Sequence, residues 1–551
     1  MFEFKKFSYD YPESKSPALS CVNLTIKKGE WILLLGKSGS GKSTLGKALG
    51  NILLDYYGGR FKGNIFWENK PFSQYRDIEF RRSVGMVFQS PEKQVLTPDV
   101  LSEIVCGMEN IGLPHAEMEK RLDHFSSSLG IKHLLNRKCE NLSGGELQRV
   151  IIASILAMGC QTLILDEPFS QLDPNASRQL LKMLSDLKKK MGLTIILIEQ
   201  QVDSLLHRVD RVLFLEEGRI IHNEIPRQFV KASLKDKTSA NLCAPLVSQL
   251  IVANEPPITI EEGRDILKSL LIGPSLEKQD CEERVWVNGS LILESVNFQY
   301  SIDEKPILKD IQLELHQSEL VCLLGENGAG KSTLLVGLSG LLENIRGQVL
   351  FHGEPLQSLD ALYKFTKIGY LSQNPHDYLF HDTVYEELKF SLEQSTLHSM
   401  DETNVIKQML HQLQLDGLEE RDPRTLSGGE KQRLALGCVL IKKPEILLID
   451  EPTRGLDQDL KELLGKLLRS YLDQGSSILL ATQDVDFAAE YADRIALIES
   501  GKMSHLLEAK HFFKQGYYTS TVRRLFRGFS EDVYHAKSAK ERLSHIKESV
   551  Q

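Results

Sequence analysis

Short, wholly apolar runs recur along the chain, each bounded by charge, glycine or proline. Trp31–Leu35 and Leu320–Leu324 lead into glycine-rich loops and then into helical stretches. Thr194–Ile198 and Ile478–Ala481 are runs of the same kind, and Leu163–Leu165 and Leu447–Ile449 each precede an acidic pair. Runs this short, with no alternation, predict strands buried on both faces of a parallel sheet. The strand–loop–helix order predicts an α/β core. The longest apolar stretch, Val150–Leu165, is shorter than a membrane span and contains Gln161. A buried helix followed by a buried strand accounts for it better. From about 230 to 290 the pattern breaks into mixed charge with Pro256-Pro257 and Gly273-Pro274, which reads as a small extension and a linker.

The pattern is also duplicated. GKSGSGKST begins at Gly36 and GENGAGKST at Gly325; LSGGELQR begins at Leu142 and LSGGEKQR at Leu426; LILDEP ends at Pro168 and LLIDEP at Pro452. Lys331 minus Lys42 is 289, while Gln373 minus Gln89, Ser427 minus Ser143 and Glu451 minus Glu167 are each 284. Motifs in one order at nearly constant offsets mean a tandem duplication. The expected division is 1–235 for the first copy, 236–290 for the extension and linker, 291–505 for the second copy and 506–551 for a tail. From Lys510 onward that tail has nine Lys and Arg against four acids.

Bulk properties narrow the field. A chain of 551 residues is long enough for two cores. A net charge of −9 and a pI near 6.0 give no reason to expect a general affinity for nucleic acid or anionic lipid. The eight cysteines are scattered with no CxxC pair, which suits a reducing compartment rather than a disulfide framework or a zinc site. MFEFKKFSYDYP lacks the apolar core of a signal peptide, so a soluble protein is expected.

The motifs carry phosphate chemistry. In GxxxxGK[ST] the glycines let backbone N–H groups wrap phosphates, and the helix N-terminus adds positive potential. The expected ATP contacts are Gly36, Lys37, Ser38, Gly39, Ser40, Gly41, Lys42, Ser43 and Thr44 in the first copy. In the second they are Gly325, Glu326, Asn327, Gly328, Ala329, Gly330, Lys331, Ser332 and Thr333. Lys42 and Lys331 should reach the β- and γ-phosphates, and the Ser43 and Ser332 hydroxyls should bind Mg²⁺. The strands before Asp166-Glu167 and Asp450-Glu451 deliver acids to the same place. Asp166 and Asp450 would hold Mg²⁺, and Glu167 and Glu451 would polarise the attacking water.

With these motifs in view, the chain resembles the ATP-binding cassette (ABC) family over nearly all of residues 1–505. LSGGE[LK]QR is that family's signature. The resemblance implies two tandem P-loop NTPase domains, each with a RecA-like parallel-sheet core, an antiparallel β subdomain and a helical signature subdomain. It implies that Ser143, Gly144 and Gly145 complete the nucleotide site of the other copy, as do Ser427, Gly428 and Gly429. Tyr9 and Tyr300 match the aromatic that stacks on adenine, with Tyr11 a second candidate; such a tyrosine serves as readily in packing. Gln89 and Gln373 match the glutamine that links Mg²⁺ and water to a membrane partner, and Asp173 and Asp457 match a loop that crosses between halves. The family usually has histidine where this chain has Gln200 and Gln483. A glutamine amide donates a hydrogen bond but holds no positive charge. Either glutamine is a working replacement, which the retained glutamates favour, or hydrolysis is slowed.

FQSPEKQVL after the first family glutamine and SQNPHDYLFHDTVYEEL around the second resemble the ATPases of energy-coupling-factor importers. That implies an ATPase on the cytoplasmic face of the membrane, working with a transmembrane scaffold protein and a small membrane protein that binds a vitamin or transition-metal ion. A ribosome-associated tandem cassette is the alternative. Such proteins carry a long Lys/Arg-rich linker, whereas 230–290 is charge-mixed and proline-broken. A weakly hydrolysing, ATP-gated scaffold is a third reading, resting on Gln200 and Gln483. Arg523, Arg524 and Arg527 interleave with Leu525, Phe526 and Phe529, and this stretch is expected to pack on its own domain rather than lie on a membrane.

Overall fold

A computed structural model describes the chain at all residues except 13, 15, 76, 171, 201, 204, 236–238, 252, 271–288, 300–305, 343–344, 396–400, 517 and 551. The chain divides into two compact units, Met1–Thr259 and Ile260–Gln551.

In the first unit, Trp31–Leu35, Thr162–Asp166 and Thr194–Ile198 are buried at every position, as strands covered on both faces must be. They sit in a six-stranded sheet ordered Arg219–Glu224, Arg211–Glu216, Trp31–Leu35, Thr194–Ile198, Thr162–Asp166, Val84–Val87. Only the outermost pair, Arg219–Glu224 with Arg211–Glu216, is antiparallel. Successive side chains alternate between faces. Ile32 and Leu34 therefore face a four-stranded antiparallel sheet (Leu19–Ile26, Phe2–Asp10, Arg60–Trp67, Lys70–Pro71) and the helix Lys42–Leu49. Trp31, Leu33 and Leu35 share the opposite core with helices Val100–Asn110, His115–Ser128 and Gly144–Ala157.

The second unit repeats this plan. Leu308–His316, Gly289–Phe298, Ile345–Phe351 and Glu354–Pro355 form its antiparallel sheet. Its parallel strands run Ile368–Leu371, Ile446–Asp450, Ser477–Thr482, Leu320–Leu324, Arg494–Glu499. Two short strands, Lys502–Met503 and Leu507–Glu508, pair antiparallel to the last. Helices Val384–Glu393, Glu402–Gln412 and Gly428–Leu440 cover the same face as their counterparts.

The segment expected as extension and linker is shared between the units. Pro226–Ser233 and Ser239–Cys243 close over the first core through Phe229, Val230 and Ala240. Ile260–Leu270 belongs to the second unit, where Arg264 donates to the carbonyls of Arg524 (3.0 Å) and Arg527 (2.8 Å) and lies over the Phe529 ring. Of that expected segment, 271–288 lies outside the described residues.

After residue 505 the chain folds as the helices Ala509–Gln515, Thr521–Phe526 and Ala536–Val550. Phe512, Phe513, Val522, Leu525 and Phe526 are buried, and the buried Arg523 donates to Ser530 O at 3.0 Å. The apolar side of the tail is thus spent on its own unit. Among the described residues no helix is long and apolar enough to cross a membrane. Truncating a buried phenylalanine typically costs about 3–5 kcal/mol, whereas an exposed surface change costs about 0.5 kcal/mol or less. Phe526→Ala is therefore expected to lower the urea midpoint of the second unit strongly, and Arg524→Glu at an exposed position to leave it nearly unmoved.

Candidate active site

Each glycine-rich loop lies between a buried parallel strand and a helix whose first residue is the lysine. Gly41 has φ of 100°, and a Cβ there would fall 2.4 Å from the Ala18 carbonyl oxygen. Only glycine permits that approach. The lysine side chains fold back into their own loops. Lys42 Nζ donates to the carbonyl oxygens of Gly36 (2.6 Å) and Lys37 (2.8 Å), and Lys331 Nζ to those of Gly325 (2.7 Å) and Glu326 (3.1 Å). Each lysine is only 5% exposed. A buried ammonium beside a helix N-terminus and a run of loop N–H groups is a receptor for polyphosphate.

The acids stand at the ends of Thr162–Asp166 and Ile446–Asp450. Glu167 and Glu451 have φ of 47° and 48°, a left-handed conformation that costs a non-glycine residue about 1–3 kcal/mol. Their N–H groups donate to Ile198 O and Ala481 O, each at 2.9 Å, so the turn is tied to the neighbouring strand.

Ser43 Oγ donates to Asp166 Oδ1 at 3.1 Å, and the Ser332 hydroxyl bonds Asp450. Burial, reinforced by the Glu167 charge, pushes the Asp166 carboxyl up to about 6, and burial likewise raises Asp450. Asp450 Oδ1 is buried with no hydrogen-bond partner. A hydroxyl and an under-satisfied carboxylate, all oxygen, fit a hard divalent cation such as Mg²⁺.

Around the glutamates the copies diverge. Gln89 Nε2 and Gln200 Nε2 donate to the two oxygens of Glu167 at 2.7 and 2.6 Å. In the second unit Gln373 is exposed, and no bond corresponding to that of Gln89 joins it to Glu451 among the described residues. There the Gln483 amide donates to Asn327 Oδ1 of the loop, and its backbone N–H donates to Glu451 Oε2 at 3.1 Å. Lys331 Nζ is 3.6 Å from Glu451 Oε1. Burial pushes Glu451 up to about 7, against the pull of the Lys331 charge.

A residue that motif reading missed lies beside the first glutamate. Glu199 is buried and accepts from the backbone N–H groups of Phe169 (3.1 Å) and Gln200 (3.4 Å). Burial and the nearby Glu167 charge push it up to about 8. Thr482 stands at the matching place, bonded to the Thr453 hydroxyl. The contrast of ILIEQQ with LLATQD was the available signal.

The signature serines begin helices Gly144–Ala157 and Gly428–Leu440 as capping boxes. Glu146 and Glu430 accept from the Ser143 and Ser427 N–H groups, both at 2.8 Å. Gly144, Gly145, Gly428 and Gly429 form the first turns of those helices. Asp173 and Asp457 cap the helices Pro174–Met191 and Gln458–Asp473.

The adenine-stacking expectation for Tyr9 is corrected. Its ring is fully buried in the core and its hydroxyl donates to Gly58 O at 2.6 Å, so no face is open to a base. Tyr9 pairs with Leu19 and Phe298 with Leu308, which makes Tyr9 the counterpart of Phe298. By the same offset of 289, Tyr11 is the counterpart of Tyr300, which lies outside the described residues. Tyr11 is half-buried, with its hydroxyl 3.2 Å from Thr44 Oγ1 in the phosphate-loop helix.

The family model described as "ABC transporter" matches residues 19–170 and 308–454. A chain of Bacillus anthracis provisionally named an ABC transporter ATP-binding protein is 34% identical over 548 residues, covering 97% of this chain and 98% of that one. A similarly named chain of Clostridium tetani is 35% identical, covering 81% and 99%. Among solved structures, the archaeal ribosome recycling factor aABCE1, in complex with the ribosomal stalk protein aP1, superposes with a TM-score of 0.58 at 20% identity, covering 93% of this chain and 91% of that one. cbiO1 from Clostridium perfringens, part of the ABC transporter complex cbiONQ, is 33% identical with a TM-score of 0.38, covering 44% and 97%.

The Glu199 carboxyl gives a pH test. Raised to about 8 when folded, against an ordinary value of about 4.3 unfolded, it makes the folded state bind more protons between those values. Stability from this group is therefore full at low pH and is lost as pH rises toward 8. Glu199→Gln, which keeps the acceptor without the charge, is expected to match the parent's melting temperature at pH 5 and exceed it at pH 8.5 by calorimetry.

Proposed function

The chain belongs to the ABC transporter family, and we propose that it is the ATP-hydrolysing subunit of a membrane importer of the energy-coupling-factor type. Its tandem cassettes make it an ATPase of the transporter kind. The observation that carries the reading is the same in both units: a buried lysine in a carbonyl-lined loop, a serine–aspartate pair and a glutamate on a left-handed turn meet at the C-terminal ends of parallel strands.

Lys42 and Lys331, with the N–H groups of Gly36–Thr44 and Gly325–Thr333, hold the ATP phosphates. Ser43, Asp166 and Gln89, and Ser332, Asp450 and Gln373, hold Mg²⁺, whose positive charge, when bound, screens the phosphate oxygens. Glu167 and Glu451 accept the proton of the attacking water. The Gln200 amide, donating to Glu167, fixes the direction of that carboxylate, and Gln483 serves the same site in the second cassette. Ser143, Gly144 and Gly145, and Ser427, Gly428 and Gly429, offer helix N-terminal donors to ATP phosphate.

A membrane partner is supported by apolar side chains left exposed around each family glutamine. Phe88 and Leu96 flank Gln89, and Phe380 and Phe390 follow Gln373. Together with FQSPEKQVL and SQNPHDYLFHDTVYEEL they suit docking to a transmembrane scaffold protein at the cytoplasmic face. The substrate, a vitamin or a transition-metal ion, is bound by a separate small membrane protein.

Two measurements test this. Loss of a general base typically costs about 10²–10⁴-fold in rate. Glu167→Gln with Glu451→Gln is expected to abolish steady-state ATPase activity while ATP binding persists; full activity in the double variant would refute the assigned bases. Affinity purification in mild detergent from native membranes should bring down a multi-span scaffold and a small membrane protein. Recovery of ribosomes in their place would overturn the importer.

A further inference from the structure

The change of offset from 289 to 284 has a location. The phosphate-loop helices end at Leu49 and Leu338, which are 289 apart. Phe61 and Ile345, paired with the matching residues Tyr9 and Phe298, are 284 apart. The first cassette therefore spends residues 50–60 where the second spends 339–344, eleven against six. The extra length makes one wide helical turn, Leu53–Tyr57, followed by Gly58 and Gly59.

This turn is fastened to the strand Phe2–Asp10, which carries Tyr9 and leads directly into Tyr11. Tyr9 donates to Gly58 O, and Gly59, with φ of 93°, lies so close that a Cβ there would be 2.3 Å from Asp10 O. The Tyr57 ring stands 6.1 Å from that of Tyr11 at 82°, and the Lys47 ammonium sits 4.2 Å over the Tyr57 ring. Tyr57 nonetheless remains 42% exposed. Two rings at nearly a right angle form a corner, and Tyr11 ties that corner to Thr44, one residue past Ser43.

We infer that Tyr57 is a second aromatic wall of the nucleotide-base site in the first cassette, receiving a purine in the corner it makes with Tyr11. The inference rests on the Lys42 loop being a triphosphate site. A flat base stacked on one ring meets the other along its edge, an arrangement that aromatic quadrupoles favour. Lys47 holds the Tyr57 ring in advance, so little side-chain freedom is lost on binding. The second cassette has no equivalent insertion, so the two sites grip the base unequally.

The test uses the full-length chain with Lys331→Ala to silence the second site, titrated with ATP and with inorganic tripolyphosphate by calorimetry. Base–aromatic stacking is typically worth at least about a 5-fold change in affinity. Tyr57→Leu, which keeps apolar bulk without a ring, should weaken ATP by at least that factor and leave tripolyphosphate unchanged; Tyr57→Phe should bind ATP as the parent does. In a Lys42→Ala chain, Tyr57→Leu should leave ATP affinity unmoved. Unchanged ATP affinity in the first background, an equal loss for both probes, or a loss in the Lys42→Ala chain would overturn the wall. If the Lys331→Ala parent binds neither probe, the first triphosphate site itself falls, and the base wall with it.

Discussion

A lysine ammonium is expensive to bury, and in both cassettes it is buried with its charge directed at the carbonyl oxygens of its own loop. Those carbonyls turn inward only because the loop backbone takes conformations open to glycine, as at Gly41 against Ala18. The loop in turn needs the fully buried strand before it and the helix after it as fixed ends. Sheet, loop and helix are thus bound to one electrostatic demand. Each carbonyl offers a partial charge where a phosphate offers a full one, so the loop is prepared for an anion.

The acids answer the same demand from the neighbouring strand. Asp166 and Glu451, raised to about 6 and about 7, are carboxylates whose charge burial opposes. Glu167 and Glu451 also occupy a backbone region that L side chains avoid, at a cost repeated at both sites. Strain and desolvation kept at one spot in two copies mark a site organised for a reaction rather than for stability.

Much of this was legible because the motifs and strands obey local rules. Wholly apolar runs such as Trp31–Leu35 fold as buried strands in the expected sheet, and the phosphate loops lie between strand and helix as their spacing requires. Tyr9 was misread because two tyrosines lie two residues apart, one at the end of a strand and one just past it. Motif matching compares letters, whereas only pairing shows that Tyr9 shares a register with the core residue Phe298. The offset of 289 held that information. Glu199 was passed over because a glutamate within an apolar run carries no motif, and its burial beside Glu167 is a tertiary fact. The apolar residues of the tail cannot announce their partner, since an amphipathic basic helix reads alike on a membrane or on its own domain.

The duplication itself invites an assumption of equivalence that the side chains refuse. In the first cassette the glutamate is held by two amide donors with a second, largely neutral carboxyl beside it; in the second it lies 3.6 Å from the lysine ammonium with threonines nearby. The first glutamine amide addresses the base, and its counterpart addresses the loop. The Glu167 carboxylate is oriented by two amide donors, whereas burial raises the Glu451 carboxyl to about 7, a range that suits a general base at neutral pH. Two sites built from the same motifs thus hold their glutamates by different contacts, side-chain amides in the first and a backbone N–H in the second.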